Sequence, residues 1–163
     1  MSALVLASPG LDDYLFTTEF LKQNTIQLRK ATKAGDVEGM IDWFQKSWTD
    51  GPYRIPDRVK ATVRARVRPM ALDRPSTEEK LGQELPLRPS PVKRLAEIHV
   101  PTLCLVGDLD MPEILEIIDL LVRAIPSAEK VVLNGVAHMV NMEEPARFNQ
   151  LVLDFLARTI FSG

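Results

Sequence analysis

Val100-Pro101-Thr102-Leu103-Cys104-Leu105-Val106-Gly107-Asp108-Leu109-Asp110 is the stretch on which the fold turns. Its centre is an unbroken apolar run bounded by Pro101 and Gly107, which predicts a strand over Thr102 to Val106, buried on both faces. The run ends in a glycine and two acids, Asp108 and Asp110. A second strand is expected over Lys130 to Leu133, closing on Gly135-Val136-Ala137-His138. Between the two, Pro112 to Ile125 reads as a helix with proline in its first turn, a favoured position. Its apolar residues (Ile114, Leu115, Ile117, Ile118, Leu121, Val122) nearly encircle it, so heavy burial is expected. Pro145 to Ile160 reads as a second helix, with the acids Glu143 and Glu144 at its start and a stripe of Phe148, Leu151, Val152, Phe155 and Leu156. Strand, helix, strand, helix in that order implies an α/β fold with a parallel sheet and right-handed crossovers.

Working outward, Ala3-Leu4-Val5-Leu6-Ala7 is another continuous apolar run, ended by the turn signal Ser8-Pro9-Gly10, and reads as a third buried strand. Residues 11–91 differ in character, with no convincing strand and several helical patterns. Phe16, Phe20, Leu21, Leu28 and Ala31 suggest a first helix closing near Gly35. Val37, Met40, Ile41, Phe44 and Trp48 recur at helical spacing and stop at Asp50-Gly51-Pro52. Pro56 to Met70 is a basic amphipathic pattern on Val59, Val63 and Val67, whose charges read as a solvated face. Residues 73–91, with Pro75, Pro86, Pro89 and Pro91, read as a loop-rich connection, with a short helix expected at Thr77 to Glu84.

The composition excludes several functional classes. A hydrophobic fraction of 45%, a charged fraction of 26% and a net charge of −2 are those of an ordinary globular chain, and they argue against nucleic acid or an anionic membrane as the main partner. The single cysteine, Cys104, rules out an intrachain disulfide and reads as a buried core thiol. One Cys and two His are too few for a usual zinc set, so no metal is expected. No apolar run approaches the ~18–20 residues of a membrane span. The run Ala3 to Ala7 lacks a basic flank and is shorter than the ~7–15 residues of a secretory signal, so a cytoplasmic location is expected.

In an open parallel sheet, ligands bind beyond the carboxyl ends of the strands. Asp110 lies past one such end and His138 past the next, so adjacent strands would bring both to one edge. A carboxylate there holds an imidazole in one tautomer and stabilises its protonated form, which a general base in nucleophilic catalysis requires. Taken singly, Asp110 also reads as a cap for the helix opening at Pro112, Asp108 fits either role, and His138 reads as a loop histidine packed under Met139. Taken together, with glycines in the matching loops, the catalytic pair is the stronger reading.

The segments Arg94 to Leu103, Gly107-Asp108-Leu109-Asp110, Ile125-Pro126-Ser127-Ala128, Gly135-Val136-Ala137-His138 and Glu144-Pro145-Ala146-Arg147-Phe148-Asn149 resemble the carboxyl-terminal part of the α/β-hydrolase superfamily, within its esterase, enol-lactonase and carbon–carbon hydrolase branch. The resemblance implies that Asp110 is the triad acid after the seventh strand and His138 the triad histidine after the eighth. It implies that residues 1–10 and 92–163 are part of the hydrolase core and that residues 11–91 are its helical lid (cap). Met139 and Val140 beside the histidine, Ser8 at the site edge and Trp48 of the lid become substrate-pocket candidates. No metal or organic cofactor is implied, and the substrate would be a small ester, lactone or related carbonyl compound.

The sequence departs from that family in lacking the nucleophile and, with it, both donors of the oxyanion hole that the resemblance implies. The family's nucleophile stands on a Gly-x-Ser-x-Gly elbow before the sixth strand, and Leu4 to Gly10 already resembles the sixth strand and its exit. None of Ser2, Ser8, Ser47, Ser76, Ser90, Ser127 or Ser162 stands in such a motif. The chain is therefore expected to be truncated relative to the family and, alone, weakly active or inactive. Its first strand is expected to expose an apolar edge that favours self-association. Two other readings stand beside this one: a non-catalytic remnant or interaction module, and a half-enzyme completed by another chain.

Overall fold

A computed structural model describes residues 2–72 and 87–160. The short helix expected at Thr77 to Glu84 lies outside them. The chain divides into two compact units, Met1–Leu15 with Leu87–Gly163, and Phe16–Pro86.

The first unit is built on a parallel sheet of three strands in the order β1 (Leu4–Ala7), β2 (Thr102–Gly107) and β3 (Ala128–Leu133). Leu4 pairs with Thr102 and Ala7 with Leu105; Thr102 pairs with Ala128 and Gly107 with Leu133. This is the expected α/β arrangement, with β3 beginning two residues earlier than its apolar run. Ala128 and Glu129 enter the ladder because pairing with β2, not hydrophobicity, decides where a strand begins.

Burial follows from position in the sheet. All six residues of β2 are buried, whereas β1, at the sheet's edge, is only half-buried over Leu4 to Leu6. Side chains alternate across β2. Leu103 and Leu105 pack with Leu133, Val136, Val140 and Phe155, against which Val5, Phe148, Leu151 and Val152 close. Cys104 and Val106 point the other way. Helix α4 (Pro112–Ala124) contacts β2 and β3 and buries Ile114, Ile117, Ile118 and Leu121 to 3% exposure or less. Each such side chain contributes about 1.5–3 kcal/mol. Two elements were not legible as periodic patterns, a 3₁₀ turn at Pro91–Glu97 and a one-turn helix α5 (Val140–Glu143), which precedes α6 (Pro145–Ile160).

Cys104 is fully buried, and burial pushes its thiol up to about 11 from an ordinary value of 9.0. The folded chain therefore holds this proton more tightly than the unfolded chain. The resulting stabilisation is complete below pH 9 and is lost as pH rises through 11. A thiol-specific disulfide reagent at pH 8 should modify Cys104 no faster than the chain unfolds, with prompt reaction in denaturant. Rapid labelling of the native chain would contradict this burial.

The second unit is helical: α1 (Glu19–Ala34), α2 (Val37–Gln45) and α3 (Ala61–Leu72). Gly35 ends α1 in the left-handed region at φ 67°, and the Asp36 carboxylate accepts the Gly39 N–H at 2.9 Å to cap α2. The pattern expected to run as one helix to Trp48 changes at Gln45 into a π-helical turn, Lys46–Asp50. There the Ser47 hydroxyl donates to the Trp43 carbonyl at 2.9 Å, a back-bond that disturbs regular helical pairing. The Val59, Val63 and Val67 stripe is buried as expected, although α3 begins only at Ala61, after a 3₁₀ turn at Pro56–Arg58. No helix among the described residues is long and apolar enough to cross a membrane.

Candidate active site

β2 and β3 run side by side in the same direction, so the loops leaving their carboxyl ends meet. The β2 loop turns at once. The Asp108 N–H donates to the Leu133 carbonyl at 3.1 Å, and the Leu109 N–H to the Val136 carbonyl at 2.9 Å. In return the Asp108 carboxylate accepts the Gly135 N–H at 2.7 Å. Asp108 thus ties the two loops together, and Asp110 is left to face the histidine.

Nδ1 of His138 lies 3.1 Å from Oδ2 and 3.2 Å from Oδ1 of Asp110. The carboxylate side chain is 1% exposed and the imidazole 20%. Oδ1 of Asp110 also accepts the Met111 N–H at 2.8 Å. The two readings of Asp110 are therefore compatible, because one carboxylate braces the entrance to α4 and pairs with the histidine. With that carboxylate ionised, the contact is attractive when Nδ1 carries the hydrogen, the tautomer in which Nε2 is the basic nitrogen.

The close approach of the loops depends on Gly107. A methyl group there would stand 2.1 Å from the Val136 carbonyl oxygen and 2.5 Å from that of Ala137. Glu143 is the residue that sequence reasoning placed only as a helix-start acid. It closes α5, is 5% exposed, and its carboxylate accepts the Ala137 N–H at 3.0 Å. A buried carboxylate thus grips the peptide immediately before the histidine. The available signal was an acid within the apolar neighbourhood of Val140 and Met142.

The pocket candidates divide. Met139 is half-buried, and its carbonyl accepts the N–H groups of Met142 and Glu143, both at 2.9 Å. Val140 is 1% exposed and packs in the core cluster with Leu133, Val136 and Phe155. Ser8 leaves β1 in the left-handed region at φ 45° and is 5% exposed. Its hydroxyl bonds to no described group, His138 included. Trp48 belongs to the helical unit, half-buried in the π-helical turn. Elsewhere in the first unit the Tyr14 hydroxyl donates to Glu116 at 2.5 Å. That bond, with burial and the charges of Glu116 and Glu113, pushes the phenol up to about 12.

No family model and no curated protein matches the chain. Solved structures do. A bromoperoxidase from Bacillus anthracis superposes with a TM-score of 0.67 at 20% identity, over 95% of this chain and 58% of that one. A hydrolase from Pseudomonas aeruginosa PA01 gives 0.66 at 25% identity, over 95% and 55%. A thermophilic esterase from Thermogutta terrifontis gives 0.62 at 23% identity, over 96% and 56%. These are α/β-hydrolases, and the chain spans little more than half of their length. At these identities the likeness is one of fold: the sheet and its flanking helices make up part of an α/β-hydrolase fold.

Proposed function

We propose that this chain is the carboxyl-terminal half of a serine-type α/β hydrolase, acting in the cytoplasm on a small ester, lactone or related carbonyl compound. The observation that carries the reading is the buried Asp110 carboxylate within 3.1 Å of Nδ1 of His138, at the carboxyl edge of a parallel sheet. In this reading the helical unit is the lid, and the nucleophilic serine comes from polypeptide outside these 163 residues.

The chemistry follows from the pair. Nε2 of His138 takes the proton of the serine hydroxyl as its oxygen bonds to the substrate carbonyl carbon. The imidazolium, steadied by Asp110, returns that proton to the departing alcohol, leaving an acyl-enzyme. Water then repeats the sequence, with its proton passing through Nε2 and back to the serine as the acid departs. Asp108, Gly107 and Glu143 hold the two loops at this separation.

Two measurements test the proposal. The coding DNA immediately upstream of Met1 should contain an in-frame Gly-x-Ser-x-Gly. The 163-residue chain should hydrolyse p-nitrophenyl acetate only slightly, and His138→Ala should remove what activity there is. Robust turnover that survives His138→Ala would sink the role assigned to this histidine.

The edge of β1 supports self-association of the isolated chain. β1 has a partner on one side only among the described residues, and Leu4, Val5 and Leu6 remain half-buried there. Apolar strand edges recruit further strands. Size-exclusion chromatography should therefore show oligomers that grow with concentration, and a monomer that persists at high concentration would exclude pairing through this edge.

A further inference from the structure

His138 stands on the loop between β3 and α5, in neither strand nor helix, so its imidazole is only as well placed as that stretch of backbone. Glu143 holds the loop on both sides of it. The Glu143 carboxylate accepts the Ala137 N–H at 3.0 Å, and the Glu143 N–H donates to the Met139 carbonyl at 2.9 Å. The residues immediately before and after the histidine are thus bonded to one and the same residue. The Val136–Ala137 peptide is also gripped from its other side, where the Val136 carbonyl accepts the Leu109 N–H at 2.9 Å. A peptide group is a rigid plane, so bonds at both of its polar ends fix its orientation. Leu109 adjoins Asp110 in the chain, and this one plane therefore ties the loop of the acid to Glu143 and to the backbone of the histidine.

The residue type points the same way. Glu143 is 5% exposed and closes the one-turn helix that the buried Val140 opens, a place where an apolar side chain would pack without the cost of desolvating an acid. The acid that stands there bonds a backbone amide, and carboxylate-to-amide bonds are stronger than neutral ones. Ala137 is fully buried, so its N–H has no solvent to turn to once the acceptor is removed. The consequence is a displaced loop rather than a rehydrated amide, and a displacement of about 1 Å at a reacting group costs about 10²-fold in rate.

We infer that Glu143 is a positioning residue: its two bonds hold Ala137 and Met139 and thereby set the His138 imidazole against Asp110. The catalytic meaning of that placement rests on the hydrolase reading; the placement itself does not. Nuclear magnetic resonance of the 163-residue chain reads it through the Nδ1–H proton of His138, which a hydrogen bond to Asp110 shields from exchange. His99, the only other histidine, is exposed. Glu143→Met keeps the side-chain length and the backbone bond to Met139 but removes the acceptor, and should speed exchange of that proton about tenfold or more. Glu143→Gln keeps an acceptor and should restore the slow proton. Ile118→Val, which thins the core around α4, should lower the melting temperature and leave the proton as in the wild type. In the chain joined to its nucleophile segment, Glu143→Met should lower kcat for p-nitrophenyl acetate about 10²-fold with KM little changed, and Glu143→Gln should recover most of the loss. Wild-type exchange in Glu143→Met, a Gln variant as impaired as the Met variant, the same loss in Ile118→Val, or unchanged kcat in an active joined chain would each overturn the inference. Should Glu143→Met fail to fold, Glu143→Asp, which withdraws the acceptor by one methylene, is read in its place by the same criteria. A joined chain without turnover in any form would remove the hydrolase reading and leave the exchange rates to decide the role of Glu143.

Discussion

On the proposed hydrolase reading, Asp110→Asn should lower the kcat of the chain joined to its nucleophile segment by roughly 10⁴-fold, while changing stability by about 1 kcal/mol or less. The asparagine is isosteric with the aspartate, and its carbonyl oxygen can still accept the Met111 N–H that Oδ1 accepts now. Its amide, however, donates toward Nδ1 of His138, where the carboxylate accepted. The imidazole then carries its hydrogen on Nε2 and can no longer take a proton there. The imidazolium also loses the buried negative charge beside it. ¹⁵N shifts of the imidazole report this change in the isolated chain, with no need for turnover: Nδ1–H in the wild type, Nε2–H in the variant. A kcat loss below about tenfold, or an unchanged tautomer, would show that Asp110 does not orient His138.

Gly107→Ala should be the most damaging single-methyl change in the first unit. The added carbon would meet the Val136 carbonyl oxygen at 2.1 Å and the Val136 carbonyl carbon at 2.5 Å. These are backbone atoms and cannot swing aside as a side-chain tip does. Relief requires the Val136–Ala137 peptides to retreat by about 1 Å, and the same peptides are held by Leu109 N–H and by Glu143. Overpacking of this kind costs about 3 kcal/mol, roughly 10 °C in melting temperature for a chain of this size. Any variant that folds should show the His138–Asp110 contact lengthened or broken. Gly10→Ala, where nothing lies within 4 Å, is the control and should melt like the wild type. Equal melting temperatures for the two variants would show that the loops are not packed as described.

Much of this was legible in the chain itself. The apolar run at Leu103 to Val106 and the acid and histidine beyond Gly107 and Gly135 indicated a parallel sheet with a polar pair at one edge. A strand buried on both faces must be continuously apolar, and only residues past its end can be polar. The buried valine stripe of α3 was legible for the same kind of reason, since burial on one helix face repeats every three to four residues. Other features left no such trace. The π-helical turn at Lys46–Asp50, where the Ser47 hydroxyl bonds back to Trp43, continues an apolar spacing that reads as ordinary helix. The one-turn helix α5 is shorter than a period. Glu143 stood out only as an acid among apolar neighbours, and nothing in that pattern named the Ala137 amide as its partner.

The sequence by itself determined the class of fold, the order of its strands and helices, and the two residues that meet at the sheet edge. Strand burial and helix amphipathicity are written as local periodicities, and a parallel ladder brings successive strand ends together. Only the tertiary structure decided that Asp110 serves both Met111 and His138 and that Gly107 has no room for a methyl group. Each of these depends on distances of a few ångströms between segments far apart in the chain, and such distances are set by packing rather than by any local pattern.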